Sequence, residues 1–153
     1  MAEVELRSAR ADSEESVRLL ADYERELVSM GVVLNHGSPG GVSAAQLAPP
    51  SGGWVVAWRD DVAVACGGVR VLEPGIAEIK RMYVDPSERG AGLARRLLAH
   101  LEQLGRDLGA TAVRLDTGRD MAPAVALYRS SGYVEIDDYN GNPDAGWWFE
   151  KQL

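Results

Sequence analysis

The sequence predicts an α/β fold built on a mixed, mostly antiparallel sheet with helices on both faces, and three observations carry that expectation. Segments with a two-residue period alternate with segments of helical period in the order β-α-(α)-β-β-β-α-β-α-β-β. A strand-like stretch from Trp54 to Val84, interrupted at Arg59-Asp60-Asp61 and Pro74-Gly75, reads as an antiparallel meander. That meander runs into a glycine turn at Arg89 to Ala94, which opens a leucine-striped segment. The 153 residues, 46% hydrophobic, suit a single domain over residues 1–153 with one core.

Val4 to Ala9 alternates as a short first strand. Asp12 or Ser13 caps a helix through about Met30, with Val17, Leu20, Ala21 and Leu27 as its inner stripe and Gly31 as its end. Residues 35–53 are rich in turn formers, hold a short helix at Val42 to Leu47, and are the expected mobile segment. Trp54 to Trp58, Val62 to Leu72 and Ile76 to Val84 are successive strands. From Gly90 to about Leu108 a helix buries Leu93, Ala94, Leu97, Leu98, Leu101, Leu104 and Leu108, while Arg95, Arg96, Glu102, Arg106 and Asp107 point away. Gly109 ends it. Thr111 to Thr117 is a strand, Asp120 caps a helix from Met121 to Ser131, and Tyr133 to Asp138 and Trp147 to Leu153 complete the sheet.

Composition narrows the function classes. A net charge of −7 argues against a general nucleic-acid binder. No 18-residue apolar span exists and the N-terminus lacks an apolar h-region, so a soluble, cytoplasmic protein without a membrane partner is expected. The single cysteine, Cys66, excludes an internal disulfide, and with two histidines in the chain no metal site is expected. Lys80, Arg81, Arg89, Arg95 and Arg96 nonetheless gather five of the sixteen basic residues around the glycine turn, a local patch suited to a small polyanion.

The turn itself carries the sharpest signal. A strand, a tight glycine turn and a helix start aim several free backbone N–H groups at one point, which suits a phosphate. The Walker A pattern is excluded because no Gly-Lys-Ser/Thr follows, and the dinucleotide fingerprint fails on spacing. What remains is Arg-x-x-Gly-x-Ala, met by Arg89, Gly92 and Ala94. This resembles the acyl-CoA pyrophosphate loop of the GNAT superfamily of N-acyltransferases. The run Ala77 to Pro86 resembles that family's central strand, and AVALYRSSGY, Ala124 to Tyr133, its last helix and following strand. The ending Trp148-Phe149-Glu150-Lys151 resembles a bacterial subgroup with a W-F-E-K terminal strand.

The resemblance implies a sheet splayed beside the central strand, acetyl-CoA as co-substrate, and transfer of its acetyl group to a primary amine by direct attack in a ternary complex. Met82, Tyr83 and Val84 would meet the pantetheine arm, with the Val84 N–H on the developing oxyanion. Arg89, Gly90, Ala91, Gly92, Leu93, Ala94 and Arg95 would hold the pyrophosphate. An alkyl amine with a pKa near ~10.4 must lose a proton, at a cost of about 4.6 kcal/mol at pH 7. Glu78 stands where the family's base stands, acting through a water, with surface pairing to Lys80 as the competing reading. Tyr128 falls at the general-acid tyrosine. The family's asparagine on this helix is absent, since Met121, Ala122 and Pro123 precede Ala124. The acceptor site is expected near Glu24, Tyr139, Asn140 and Asn142, and the acidity of the chain favours a small cationic amine or amino-acid derivative. Acetylation of a protein lysine or N-terminus, and acyl-CoA binding without turnover, are the alternatives. A homodimer is expected from family habit.

Overall fold

The computed structural model describes residues 3–32 and 41–153, so the part of the expected mobile segment between 35 and 40 lies outside the described residues. Among the described residues seven strands form one sheet in the order β1-β2-β3-β4-β5-β7-β6. They are β1 (Val4–Ser8), β2 (Gly52–Arg59), β3 (Val62–Glu73), β4 (Ile76–Val84), β5 (Ala112–Thr117), β6 (Val134–Ile136) and β7 (Trp147–Gln152). Three helices accompany them, α1 (Glu14–Ser29), α2 (Leu93–Asp107) and α3 (Ala122–Ser130). Every strand pair is antiparallel except β4 with β5.

The alternation within β2 shows why helices sit on both faces. Trp54 and Val56 enter one apolar cluster with Leu19 of α1 and Leu47, while Val55 and Ala57 enter the other with Leu97, Leu98 and Leu101 of α2. Each of those three leucines is fully buried, which stabilises the fold by roughly 1.5–3 kcal/mol apiece. On the α1 side the Trp54 Nε1–H donates to Ser16 Oγ at 2.9 Å, so the polar edge of the ring is satisfied inside the core.

Two irregularities in the middle of the sheet create the site. β4 and β5 pair only at Ile76–Ala112, Ala77–Val113 and Glu78–Arg114; beyond Glu78 the strands separate, leaving the splay expected beside the central strand. On the other edge of β4 the register with β3 slips between Cys66 and Gly68, and Arg81 sits in the bulge with φ +58°. Gly67 faces that bulge because a Cβ there would lie 2.8 Å from Leu101 Cδ1 and 3.2 Å from Met82 Cγ.

Several element details differ from the sequence expectation. The inner face of α1 runs through Ser16, Leu19, Leu20 and Tyr23, while Val17 is 55% exposed. Ser13, whose Oγ accepts from the Ser16 N–H, is the cap residue. The short helix in the 42–47 region is one 3₁₀ turn, Ala45–Leu47. α2 starts at Leu93 rather than Gly90, because Gly90 and Gly92 both take left-handed backbone. Glu102 of α2 is buried rather than solvent-facing: it accepts from Tyr133 OH at 2.7 Å and pairs with Lys151 Nζ at 3.1 Å. α3 has no side-chain cap, so Asp120 does not cap it, and Pro123 occupies the first turn where a missing N–H costs nothing. β6 is shorter than expected, and the chain after Ile136 turns back across β5.

Candidate active site

The gap between β4 and β5 exposes backbone that would otherwise pair. The Asp85 N–H donates to the Val64 carbonyl at 2.8 Å, and Val84 stands opposite Ala65. This makes Val84–Ala65 a non-hydrogen-bonded pair, so the N–H and C=O of Val84 face the other edge, into the gap. There the carbonyl accepts from Arg89 Nε at 3.0 Å, while no strand reaches the N–H.

After the turn at Pro86–Glu88, Gly90 and Gly92 take φ of +86° and +85°. A Cβ on either would meet nothing within 4 Å, so glycine serves the left-handed backbone here and not a lack of room. Gly92 is the N-cap of α2 and supplies no side chain. The Arg96 N–H is bonded to the Gly92 carbonyl at 3.1 Å, which leaves the N–H groups of Leu93, Ala94 and Arg95 pointing out of the helix end. Together with the helix dipole they form a site for an anion. These residues line a cavity of about 400 Å3 that continues along Met82, Tyr83 and Val84 to Leu127 and Tyr128. Every residue expected here from the sequence lines the cavity except Ala91, which is exposed outside it.

The basic side chains around the turn are largely committed to the protein. Arg89 forms a bidentate pair with Glu26 of α1 at 2.7 and 2.8 Å and lies over the Tyr83 ring, so it latches the turn to α1. Arg95 donates to Ser130 and Ser131 at the end of α3, and Arg96 to the Val4 carbonyl. The expected polyanion patch is therefore in the main a set of internal braces, and the backbone N–H groups are the free anion donors.

A second cavity, of about 570 Å3, opens on the other side of the gap. Leu20, Tyr23, Glu24 and Leu27 of α1, Val42, Ser43 and Gln46, Ile79 to Met82 of β4, Leu115 to Thr117 of β5 and Asn142 supply much of its wall. The two cavities share Tyr23, Met82, Met121, Ala124 and Tyr128. Tyr128 is thus the junction. Its ring packs against Tyr133 at 5.7 Å and Phe149 at 6.0 Å, and its hydroxyl makes no hydrogen bond among the described residues. Burial, with smaller contributions from Tyr23 and Asp116, pushes the phenol well above its ordinary pKa, so it stays protonated. Burial pushes Tyr23 up to about 12 as well.

Glu78 lies behind this wall. Its side chain is fully buried; Oε1 accepts from Arg70 Nε at 2.9 Å and Oε2 from Tyr139 OH at 2.6 Å, with Lys80 Nζ at 3.7 Å. Lys80 leads on to Asp116 Oδ2 at 3.3 Å, which also accepts from Asn140 Nδ2 at 2.6 Å and Asn142 Nδ2 at 3.3 Å. The result is an alternating row, Arg70–Glu78–Lys80–Asp116, of which Lys80 and Asp116 reach the cavity and Glu78 does not. Two of the residues expected at the acceptor site lie against the same row. Tyr139 and Asn140 point into the row rather than the cavity, because buried charge demands their hydrogen bonds. Glu24 and Asn142 do line the cavity. Sequence reasoning missed Tyr23, Lys80, Arg81 and Asp116 as wall residues. The strand alternation of β5 carried a weak signal for Asp116, a charged residue following Leu115 in an otherwise apolar strand.

Comparison with known proteins bears on this geometry. The model of the acetyltransferase (GNAT) family matches residues 33–133. An IAA acetyltransferase of Azospirillum brasilense is 40% identical over 90 residues, covering 58% of this chain and 59% of that protein. The chain spans roughly half to three-fifths of the length of the first curated relatives it matches. An acetyltransferase structure from Streptococcus agalactiae superposes with a TM-score of 0.80 at 16% identity, covering 98% of both chains. A GNAT family acetyltransferase from Elizabethkingia anophelis, solved with acetyl-CoA bound, gives 0.69 at 15% identity, again over 98% of both.

Proposed function

The chain belongs to the acetyltransferase (GNAT) family, and we propose that it is an acetyl-CoA-dependent N-acetyltransferase whose acceptor is the primary amine of a small molecule. One observation carries the reading: two cavities, one ending at free helix N–H groups and lined in part by Val84, the other lined by carboxylates, meet at a protonated tyrosine. The first cavity fits acetyl-CoA, since the N–H groups of Leu93, Ala94 and Arg95 suit its pyrophosphate and the β4 edge suits its pantetheine arm.

Each residue then has a chemical task. The Val84 N–H donates to the thioester oxygen as negative charge grows on it. The amine nitrogen attacks the carbonyl carbon, the carbon–sulfur bond breaks, and the sulfur leaves with the electron pair. Tyr128 donates a hydrogen bond to that sulfur. Taking an ordinary phenol at ~10 against a thiol at ~8.5, complete proton transfer would be uphill by about 2 kcal/mol, and burial of Tyr128 raises it further. Tyr128 therefore serves as a donor to the thiolate more than as a strong acid. The amine proton goes to Asp116, which lines the acceptor cavity. Glu78 acts one step behind, as the positioning residue that fixes Lys80 against Asp116.

The test is release of free thiol from acetyl-CoA in the presence of small amines or of peptides. Transfer to small amines is expected. Transfer to peptides alone replaces the acceptor, and binding of acetyl-CoA with no transfer to either leaves a binding module in place of the enzyme.

A further inference from the structure

The acceptor cavity contains one cation that the charge row does not use. Arg81 lies in the β4 bulge with φ +58°, a conformation that costs a non-glycine residue roughly 1–2 kcal/mol and that turns it out of the regular strand alternation. Its side chain is exposed at the cavity wall, and Nη2 donates to the Val42 carbonyl at 2.7 Å. No described carboxylate pairs with it, and residues 1–2 and 33–40 contain no Asp or Glu. Lys80, the neighbouring cation, is by contrast closed between Glu78 and Asp116. Asp116 and Arg81 both act on the Tyr23 phenol, the first raising its pKa and the second lowering it, so the two charges flank one aromatic wall. Leu20, Leu27 and Val42 give the same cavity an apolar lining.

From this arrangement we infer that the acceptor carries a carboxylate as well as its amine, in the manner of an amino acid, and that Arg81 binds the carboxylate while Asp116 faces the amine. The inference rests on the small-amine reading above and specifies its substrate class. A guanidinium held at one N–H by a backbone carbonyl keeps its remaining donors in a fixed fork, which matches a carboxylate in two-point contact. An acceptor without an anion would leave Arg81 desolvated and unpaired, a cost that falls on binding rather than on the chemical step.

Thiol release from acetyl-CoA, measured against the proteinogenic amino acids, their carboxamides and their decarboxylated amines, tests this directly. At least one amino acid is expected to exceed its own amide and amine by on the order of 10- to 100-fold in kcat/KM, with the difference in KM. In Arg81→Gln that preference is expected to fall to about twofold or less, with Arg81→Lys between. A wild-type preference for the amide or amine overturns the inference, as does an unchanged preference in a folded Arg81→Gln. If that variant does not fold, the wild-type series alone decides. Transfer to none of the three sets, with acetyl-CoA binding seen by calorimetry, overturns the small-amine reading as well, and is distinguished by that binding from loss of the coenzyme site.

Discussion

At the scale of single residues, the proposed roles of Glu78 and Asp116 separate what a carboxylate would do for the reaction from what it does for the fold. Glu78 stands at the position the family pattern marks for a base, and its neighbourhood in sequence, Ala77-Glu78-Ile79-Lys80, was fully legible. Its pairing with Lys80 was legible too, but its burial against Arg70 and Tyr139 was not, because those partners come from β3 and from a loop 61 residues away. Glu78→Gln leaves Arg70 and Lys80 short of a counter-charge in a buried setting, so it is expected to cost roughly 3 kcal/mol or more of stability. For a chain of this size that corresponds to a Tm lower by about 6–12 °C, read by calorimetry. Asp116→Asn removes the proposed proton acceptor at the cavity wall, so kcat is expected to fall on the order of 100-fold; it also takes one of the two counter-charges from Lys80 but leaves Arg70 paired, so its loss in Tm is expected to be smaller than that of Glu78→Gln. Equal kcat in Asp116→Asn and wild type assigns the proton to another group. Tyr128→Phe is expected to lower kcat about 10-fold or more while KM for acetyl-CoA holds within about twofold. An unchanged kcat removes the phenol from the chemistry.

At the scale of elements, strand–turn–helix order was the part of the molecule that sequence reasoning read well. The β4 limits and the strand alternation follow from local periodicity, and the glycine turn from residues needing positive φ. The start of α2 was misread by three residues because Gly90 and Gly92 look like tolerable helix glycines until their left-handed backbone is seen. Val17 was misplaced for a related reason: a stripe read at 3.6 residues per turn fixes a face only to within about one residue, and the cap at Ser13 set the rotation. The bulge at Arg81 left no mark in the sequence beyond Gly67 and Gly68 on the facing strand. That bulge aims the end of β4 into the gap, so the tolerance of its partner is testable. Gly67→Ala brings a methyl to 2.8 Å from Leu101 Cδ1 and is expected to cost about 1–3 kcal/mol by overpacking. Gly92→Ala meets no neighbour and costs only the backbone strain, about 1–2 kcal/mol, yet it distorts the N–H groups that face the anion. Isothermal titration should therefore show weaker acetyl-CoA binding in Gly92→Ala and near-native binding in folded Gly67→Ala. The reverse order would place the anion site elsewhere.

At the scale of the whole molecule, the apolar surface that closes the site also sets the pH range over which the protein holds together. All five tyrosines have raised pKa values: burial is the leading cause at Tyr23, Tyr83, Tyr128, Tyr133 and Tyr139, with hydrogen bonding to Glu102 and the charge of Glu78 adding at the last two. Cys66 is likewise pushed up to about 12 by burial. Each of these groups is neutral when protonated, and each holds its proton more tightly folded than unfolded. Their contribution is therefore complete below the unfolded values, ~8.5 for the thiol and ~10 for the phenols, and is lost as pH rises toward the folded ones. Between about pH 10 and 12 every such group that ionises only on unfolding steepens the loss by about 1.4 kcal/mol per pH unit. Two measurements on one sample check the linkage. Denaturant midpoints are expected to hold level up to about pH 9 and then fall with increasing slope. Phenolate absorbance is expected to appear in step with loss of secondary structure instead of preceding it. Phenolate forming in a protein that keeps its circular dichroism would mean that the tyrosines at the cavity junction are open to hydroxide, and so not dry enough to keep the proton that the proposed mechanism requires of Tyr128.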